Sequence, residues 1–444
     1  MEHKAPSVLR QLAQIINNAV DTIEATYRSS NVDLPSLDEP FDIAAPGESL
    51  RQDPAVSTAF YISACIRAVS ELNVVELLRE AGPKAVKKIL CEQQKLMFRL
   101  QGLHAKDIAA ATRSGVDHAL LVVARMLRLL ATHHIFHEVS PNVFANNRLS
   151  SPLDKNKPTS VLFESTEDCF RSSSCLMETI KDPKEGEVPF NRAFSTTVPM
   201  YYWIQRPENA YRRQRFGLGM QGTAAAEPSD TIFQGFDWGI LPEDSVLVDA
   251  GAGIGSSSMM IAKKYPKLHI VLQNLVPTAN GARVHWTENL PEHVERNMVE
   301  FQGYDFFNPQ PVKNAVVFLL RCIIHNWPDL QTIKIFKNLR AVALPHTKLV
   351  IVEKILPVAS VDQGSEAKEI PGAAHASAQA PLLSNWGSAV AELYFFDIGM
   401  HMTLGGTDRT LDGYVDVLRH SGWEIVQVYH CGRSELSHLV AKPV

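Results

Sequence analysis

The chain of 444 residues lacks the marks of several protein classes. Nowhere does an apolar run approach the roughly 18 residues that a membrane-spanning helix needs, and the N-terminus shows no apolar signal core. Neither membrane insertion nor secretion is therefore expected. The cysteines, Cys65, Cys91, Cys169, Cys175, Cys322 and Cys431, include no C-x-x-C pair and no histidine pattern beside them. That excludes a zinc ribbon or a disulfide framework and fits reduced thiols in a cytoplasmic protein, with no metal site expected. An excess of basic charge is also missing: 43 Lys and Arg stand against 48 Asp and Glu, for a net charge of −5. Such a balance offers nucleic acid no electrostatic footprint. What remains is globular in composition, 45% hydrophobic and 20% charged, and long enough for two or more domains.

The most informative segment is Val248-Asp249-Ala250-Gly251-Ala252-Gly253-Ile254-Gly255, preceded by the apolar Val246-Leu247. It reads as a buried strand running into a glycine-rich turn, and Ser256 to Lys264 has helical composition. Glycines at a strand-to-helix junction let a ligand approach bare backbone, where unpaired helix N–H groups favour an electron-rich partner. The G-x-G-x-G spacing differs from the G-x-G-x-x-G of dinucleotide binders. Asp249 directly before the turn suits a ligand with an amino group better than a pyrophosphate.

Three regions follow from the patterning. Residues 1–54 hold an amphipathic helix, with Val8, Leu9, Leu12, Ile15, Ile16, Val20 and Ile23 at helical spacing, and a polar linker from Asp33 to Pro54. Residues 55–235 read as helical, with elements at Tyr61 to Leu78, Val86 to Leu103 and Asp117 to Leu130. Within them, helix, turn and helix from Leu103 to Ala131, followed by a hairpin through Val139 and Val143, outline a winged helix. Acidic residues Asp107, Asp117 and Glu138 interleave with Arg113, Arg125 and Arg128, so this shape is read as a dimerisation platform and not a DNA reader. From 236 to 444, strands at Ser245 to Val248, His269 to Gln273, Met298 to Gln302, Asn314 to Leu320 and Lys348 to Glu353 alternate with helices. That predicts an α/β domain with a parallel sheet and ligands at the carboxyl ends of its strands. Trp423 to His430 and Ser437 to Lys442 predict a closing antiparallel hairpin. The Ala-, Gly-, Ser- and Pro-rich stretch 357–385 reads as a long surface loop, either a mobile lid or an insertion without a role.

Further polar clusters fall at the same strand ends. Asn274 suits ribose hydroxyls, while Asp305 and Phe306 offer a carboxylate and a ring for a base. Arg321 and His325 lie in Leu-Leu-Arg-Cys-Ile-Ile-His-Asn-Trp-Pro-Asp, and Glu353 ends the strand before the loop. One ligand crossing these ends would meet an adenosine site first and a histidine last.

These motifs, with Thr407-Asp408-Arg409-Thr410, resemble the S-adenosylmethionine-dependent O-methyltransferases of the plant caffeic-acid type and their fungal natural-product relatives. The Ala-rich loop ending Leu383-Ser384-Asn385-Trp386-Gly387 resembles the fungal branch in particular. The resemblance implies a Rossmann-like class I methyltransferase sheet behind an N-terminal all-helical winged-helix dimerisation domain, and a homodimer. It implies that His325 acts as general base on a phenol or enol oxygen, flanked by Glu353 and Asp408. S-adenosylmethionine would be held by Asp249, Gly251, Gly253, Gly255, Asn274, Asp305, Phe306 and Arg321. Trp203, Phe216 and Met220 would line the pocket for a small-molecule acceptor such as a polyketide, a phenol or a hydroxypyridone. Three positions depart from the family: Asn274 replaces its usual aspartate, Asn326 replaces the aspartate of its usual His-Asp-Trp, and Asp408 is shorter than its second glutamate.

A second expectation belongs to another reaction class. Some fungal relatives with this fold act as pericyclases or dehydratases, in which a pocket orients a reactive substrate and the cofactor is bound without being consumed. His325, Lys337 and the pair His133-His134 are then candidate donors. A purely regulatory binding role fits poorly with a retained base and its acidic partners.

Overall fold

The computed structural model describes residues 8–30, 58–81, 102–112, 117–157, 160–360, 366–380 and 382–444. Two compact units are present, Met1–Ala64 and Cys65–Val444. In the first, helix α1 (Val8–Ser30) carries the predicted stripe, and Leu9, Leu12, Ile15, Ile16, Val20 and Ile23 are all exposed on it. The linker Asp33 to Pro54, most of the helix expected over Val86 to Leu103, and Cys91 lie outside the described residues.

The helix expected from Tyr61 to Leu78 is two helices, α2 (Phe60–Glu71) and α3 (Val74–Glu80). The break falls at Asn73, whose φ of 54° is left-handed and cannot continue a right-handed helix. A second correction concerns Leu103, expected in a helix. It belongs to β1 (Leu103–His104) and pairs with Phe144. At Gly102 a Cβ would stand 2.2 Å from the Phe144 carbonyl oxygen, so the chain enters extended against its neighbour. Helices α4 (Ala105–Ala111) and α5 (Asp117–Thr132) follow, then the hairpin β2 (Phe136–Ser140) and β3 (Val143–Asn146). The sheet order β1-β3-β2 completes the winged-helix outline. His104 caps α4 by accepting the Lys106 N–H on Nδ1 at 3.1 Å. Helices α6 (Ser160–Ser173), α7 (Pro189–Ala193), α8 (Met200–Trp203) and α9 (Ala210–Ala226) lead toward the large sheet.

That sheet is built from β4 (Val246–Ala250), β5 (His269–Asn274), β6 (Val299–Gly303), β7 (Ala315–Arg321), β8 (Lys348–Lys354), β9 (Trp423–His430) and β10 (Leu436–Pro443). Their order is β6-β5-β4-β7-β8-β10-β9, with the first five parallel and β10 antiparallel to both β8 and β9. Alternate residues of each strand face opposite cores, as the period of a strand requires. Leu247, Ile270, Val317 and Val350 pack on one face with Trp286 of α11 (Val276–Asn289) and Met259 of α10 (Ser256–Lys264). Val248, Val271, Phe318 and Ile351 pack on the other with Phe336 of α12 (Asp329–Arg340) and Tyr414 of α14 (Leu411–Arg419), the helix after α13 (Ala391–Leu404). Strand β4 pairs with β5 on one side and β7 on the other, so the chain order reverses there. A crevice for ligands opens at the carboxyl ends beside such a reversal.

The stretch 357–385 is not a free lid in its described part. The Val428 N–H of edge strand β9 donates to the Pro371 carbonyl at 2.9 Å, and a Cβ on Gly372 would stand 1.9 Å from the Val428 oxygen. The Ser384 hydroxyl donates to Ala359 O at 2.8 Å, and Tyr394 donates its O–H to Pro357 O. The loop thus seals backbone at the sheet edge that would otherwise offer pairing to another chain. Its anchors are mostly main-chain groups, which composition does not reveal.

Fully buried His438 joins β10 to the segment before β4: its Nε2–H donates to Thr231 O at 3.1 Å, while Nδ1 accepts the Phe236 N–H at 3.2 Å. Burial lowers its pKa to about 4, against 6.5 for a free ring. This depressed value means the stabilising neutral form is fully present above pH 6.5 and is lost as the pH falls toward 4. We expect about 3 kcal/mol of stability to disappear across that window. Denaturant midpoints should record the loss, and His438→Gln should flatten the pH dependence; an unchanged slope in the variant would refute this assignment.

Candidate active site

The glycine turn lies where β4 meets α10. Gly251, Gly253 and Gly255 have φ of 84°, 58° and 75°, a region that side chains strain to enter. The Gly251 and Ala252 N–H groups donate to Gln273 O at 2.9 and 3.1 Å, tying the turn to the end of β5. A Cβ on Gly255 would sit 2.6 Å from Leu272 and Trp286 side-chain atoms, so packing also demands glycine there. At Gly253, in contrast, a Cβ would meet nothing within 4 Å, and the bare backbone faces open space as a ligand cradle should. The residues at this junction therefore fit an extended cofactor. Asp249 is buried and accepts the Ser258 hydroxyl on Oδ2 at 2.6 Å. One of its two oxygens is thereby engaged within the fold. Burial pushes the Asp249 pKa up to about 6, against the opposing influence of the Ser258 hydrogen bond and the Arg321 guanidinium.

The other expected cofactor residues come to the same edge of the sheet. Asn274 ends β5, with Oδ1 turned back on the Leu275 N–H at 2.8 Å. Asp305 follows β6 and accepts the Phe307 N–H at 3.0 Å. The half-buried ring of Phe306 stands edge-on to Phe307 and Trp327, with centroids 5.2 and 5.9 Å away. Arg321 is the last residue of β7.

Beyond β7 the chain turns sharply at Cys322, φ 54°, and places His325 in a short 3-10 helix. The turn is held from β8: Oε1 of fully buried Glu353 accepts the N–H groups of Ile323 and Ile324 at 2.7 and 2.8 Å. Glu353 Oε2 then faces His325 Nδ1 at 3.5 Å, and Asp408 Oδ1 faces the same nitrogen at 3.6 Å. His325 is 8% exposed and Asp408 3%. Asp408 arrives on the turn after α13, where the Thr407 N–H donates to His325 O at 2.8 Å and a Cβ on Gly406 would stand 2.1 Å from that oxygen. Burial alone would lower the His325 pKa, but the Glu353 and Asp408 carboxylates outweigh it and the value is raised. Burial also raises the Glu353 carboxyl, opposed by His325 and the two N–H donors.

Several residues at this site went unassigned by sequence reasoning. Buried Arg409 donates to Ile324 O at 3.2 Å, Trp327 O at 2.9 Å and Asp329 Oδ1 at 2.8 Å, and so braces the histidine loop from behind. Its place beside Asp408 in Thr-Asp-Arg-Thr was the one available signal. The ring of Phe396 on α13 lies 5.4 Å from the His325 ring, and Lys354 Nζ stands 4.4 Å from the Phe396 centroid. The Tyr201 hydroxyl donates to Asn326 Oδ1 at 3.5 Å. Of the expected pocket residues, Trp203 is packed with Phe190 and Phe194 at 5.3 and 5.0 Å, Phe216 stands edge-on to Tyr201 at 5.9 Å, and Met220 is exposed on α9. Lys337 is exposed on α12, and His133 and His134 are exposed after α5.

Comparison with known proteins shows the family. An O-methyltransferase domain matches residues 174–371, and an O-methyltransferase dimerisation domain matches residues 55–155. An O-methyltransferase of Armillaria gallica is 35% identical over 99% of this chain and 100% of its own length. The 4-O-methyltransferase 1 of Phanerochaete chrysosporium is 34% identical over 96% of each chain. The fold is also that of a solved pericyclic reaction enzyme, with a TM-score of 0.61 and 18% identity over 98% of this chain and 97% of the other. The chain belongs to the S-adenosylmethionine-dependent O-methyltransferases, α/β enzymes of the class I methyltransferase fold. Within them it stands with fungal O-methyltransferases and carries the O-methyltransferase dimerisation domain. Among the described residues no helix is long and apolar enough to cross a membrane.

The close approach at Gly406 generates a test. Gly406→Ala must push the His325 carbonyl away, and a displacement near 1 Å at a reacting group costs on the order of 100-fold in rate. We expect kcat to fall by about that factor with cofactor affinity retained, since the glycine turn is untouched. Wild-type turnover in this variant would show that the contact does not position the histidine.

Proposed function

We propose that the protein methylates a hydroxyl of a small phenolic, polyketide or hydroxypyridone-like molecule, with His325 as the general base. One observation carries this reading: the inward nitrogen of His325, Nδ1, faces two buried carboxylates, Glu353 and Asp408. Their negative charge, 3.5 and 3.6 Å from Nδ1, favours the ring proton on that nitrogen, so the Nε2 lone pair is directed away from them and accepts the acceptor's proton. A hydroxyl so deprotonated becomes the nucleophile, and the carboxylates stabilise the imidazolium that forms. When bound, S-adenosylmethionine supplies an electrophilic methyl group on sulfonium.

The chain's own residues account for binding in the same scheme. Gly251, Gly253 and Gly255 offer backbone to the cofactor, Asp249 its charge to the amino group, and Arg321 its guanidinium to the carboxylate. Asn274 serves the ribose hydroxyls, and Asp305 and Phe306 serve adenine. Trp203, Phe216 and Met220 belong to the acceptor side, within a region 55–235 that also forms the homodimer contact, with the exposed stripe of α1 covered by the second copy. The relative named a 4-O-methyltransferase supports oxygen as the methylated atom.

The purified protein is to be incubated with candidate acceptors and methyl-labelled S-adenosylmethionine. Label in the product is expected, and His325→Ala should lower transfer by about 100-fold or more. An isomerised or cyclised product without label would overturn methyl transfer in favour of a pericyclase. A second expectation concerns pH. Asp249 is neutral in the free protein below pH about 6, so cofactor affinity should weaken as the pH falls through that value. Calorimetric titration from pH 5 to 8 checks this, and an affinity independent of pH would remove Asp249 from contact with the amino group.

A further inference from the structure

The His325, Glu353 and Asp408 cluster has a geometry that its role as a base does not use up. Glu353 Oε1 is spent on two backbone N–H groups, but Glu353 Oε2, both Asp408 oxygens and His325 Nδ1 are buried with no hydrogen-bond partner among the described residues. The separations from Nδ1, 3.5 and 3.6 Å, exceed a normal N–H···O bond. They match the edge of a tetrahedron built on metal–ligand bonds of about 2.0–2.2 Å, which is roughly 3.3–3.6 Å. One ligand atom from each residue can be chosen so that all lie within 4.8 Å of one another. The charge agrees: a neutral imidazole with two carboxylates carries −2, which a divalent cation cancels, whereas imidazolium cancels only half.

We propose that His325 Nδ1, Glu353 Oε2 and an Asp408 carboxylate oxygen form a site for a divalent transition cation of the zinc class, and that its occupancy switches the base off. The mixed nitrogen and oxygen ligands, with both nitrogen–oxygen separations at tetrahedral length, suit zinc or cobalt, whereas magnesium demands octahedral oxygen ligation. The inhibitory half follows from valence and rests on His325 being the base. In the working tautomer Nδ1 carries the ring proton and Nε2 the lone pair. A cation on Nδ1 takes that nitrogen's lone pair, so the single proton of the neutral ring resides on Nε2. A ring protonated there cannot accept a proton from a hydroxyl. Bound cation and methyl transfer are mutually exclusive.

The test separates the two halves. The full-length protein, stripped with a chelator, is titrated with cobalt(II) alone, without cofactor or acceptor. The visible bands of four-coordinate cobalt are expected at stoichiometric metal, and X-ray absorption of the wild-type complex should show one imidazole with oxygen ligands. Absence of the bands, or two imidazoles in the shell, overturns the site without any variant. His325→Ala and Asp408→Asn should each abolish the bands in protein shown to be folded by circular dichroism. His430→Ala, which breaks a histidine pair with His375 whose rings lie 5.1 Å apart, should keep them. Bands that survive His325→Ala place the ion elsewhere. With zinc(II), methyl transfer should fall by about 100-fold, reversibly by chelator and with cofactor affinity unchanged. Undiminished transfer while the site is filled overturns the inhibitory half. A protein that binds cobalt as described but transfers no methyl group to any acceptor contradicts the proposed function and leaves the site standing.

Discussion

The site depends on one buried carboxylate. Glu353 sits at the end of β8 with no exposure to solvent, and its oxygens do two things: Oε1 takes the N–H groups of Ile323 and Ile324, and Oε2 faces His325. Hydrogen bonds from backbone to a carboxylate are stronger than neutral ones and partly offset the cost of taking the charge out of water. The turn beyond β7 is thereby fixed to β8, where parallel pairing places Arg321 opposite Val352. Removing the carboxylate would free the turn and the ring together. Arg409 braces the same loop from the opposite side through the carbonyls of Ile324 and Trp327, so the histidine is held between a buried anion and a buried cation.

The glycine turn and the histidine loop come together because the strand order reverses at β4. The glycine turn follows β4, the histidine loop follows β7, and these strands are neighbours although most of two βα units separate them in the chain. In the proposed scheme, strand order thereby brings a cofactor on the glycine turn toward an acceptor at His325. Helix α13 supplies the remaining wall, with Phe396 against the histidine ring and Asp397 accepting the Asp408 N–H at 2.9 Å. The loop from 357 onward serves the far edge of the sheet and is fastened to β9 through Pro371 and Gly372.

Strand positions were legible because buried strands of a parallel sheet are short, apolar and β-branched, and each of those read from sequence is present within a residue or two. The cofactor edge was legible for a related reason: polar residues directly after such strands must lie at one edge. Less legible were places decided by a single backbone conformation. Asn73 breaks a helical pattern that its neighbours continue, and Gly102 forces Leu103 into a strand. Arg409, Phe396 and Gly406 were not singled out because their partners are carbonyls and rings far away in sequence.

By itself the amino-acid sequence determined most element types and the position of the glycine turn, which are properties of local spacing and side-chain chemistry; His325 and its two acidic neighbours were named by resemblance to the family. Tertiary structure alone decided which nitrogen of His325 faces the carboxylates, that Glu353 divides its oxygens between backbone and ring, and that Asp249 commits one oxygen to Ser258. It also decided that the small-residue loop is tied down. Each of these depends on distances between groups that only the folded sheet brings together, and no local pattern encodes a distance across strands.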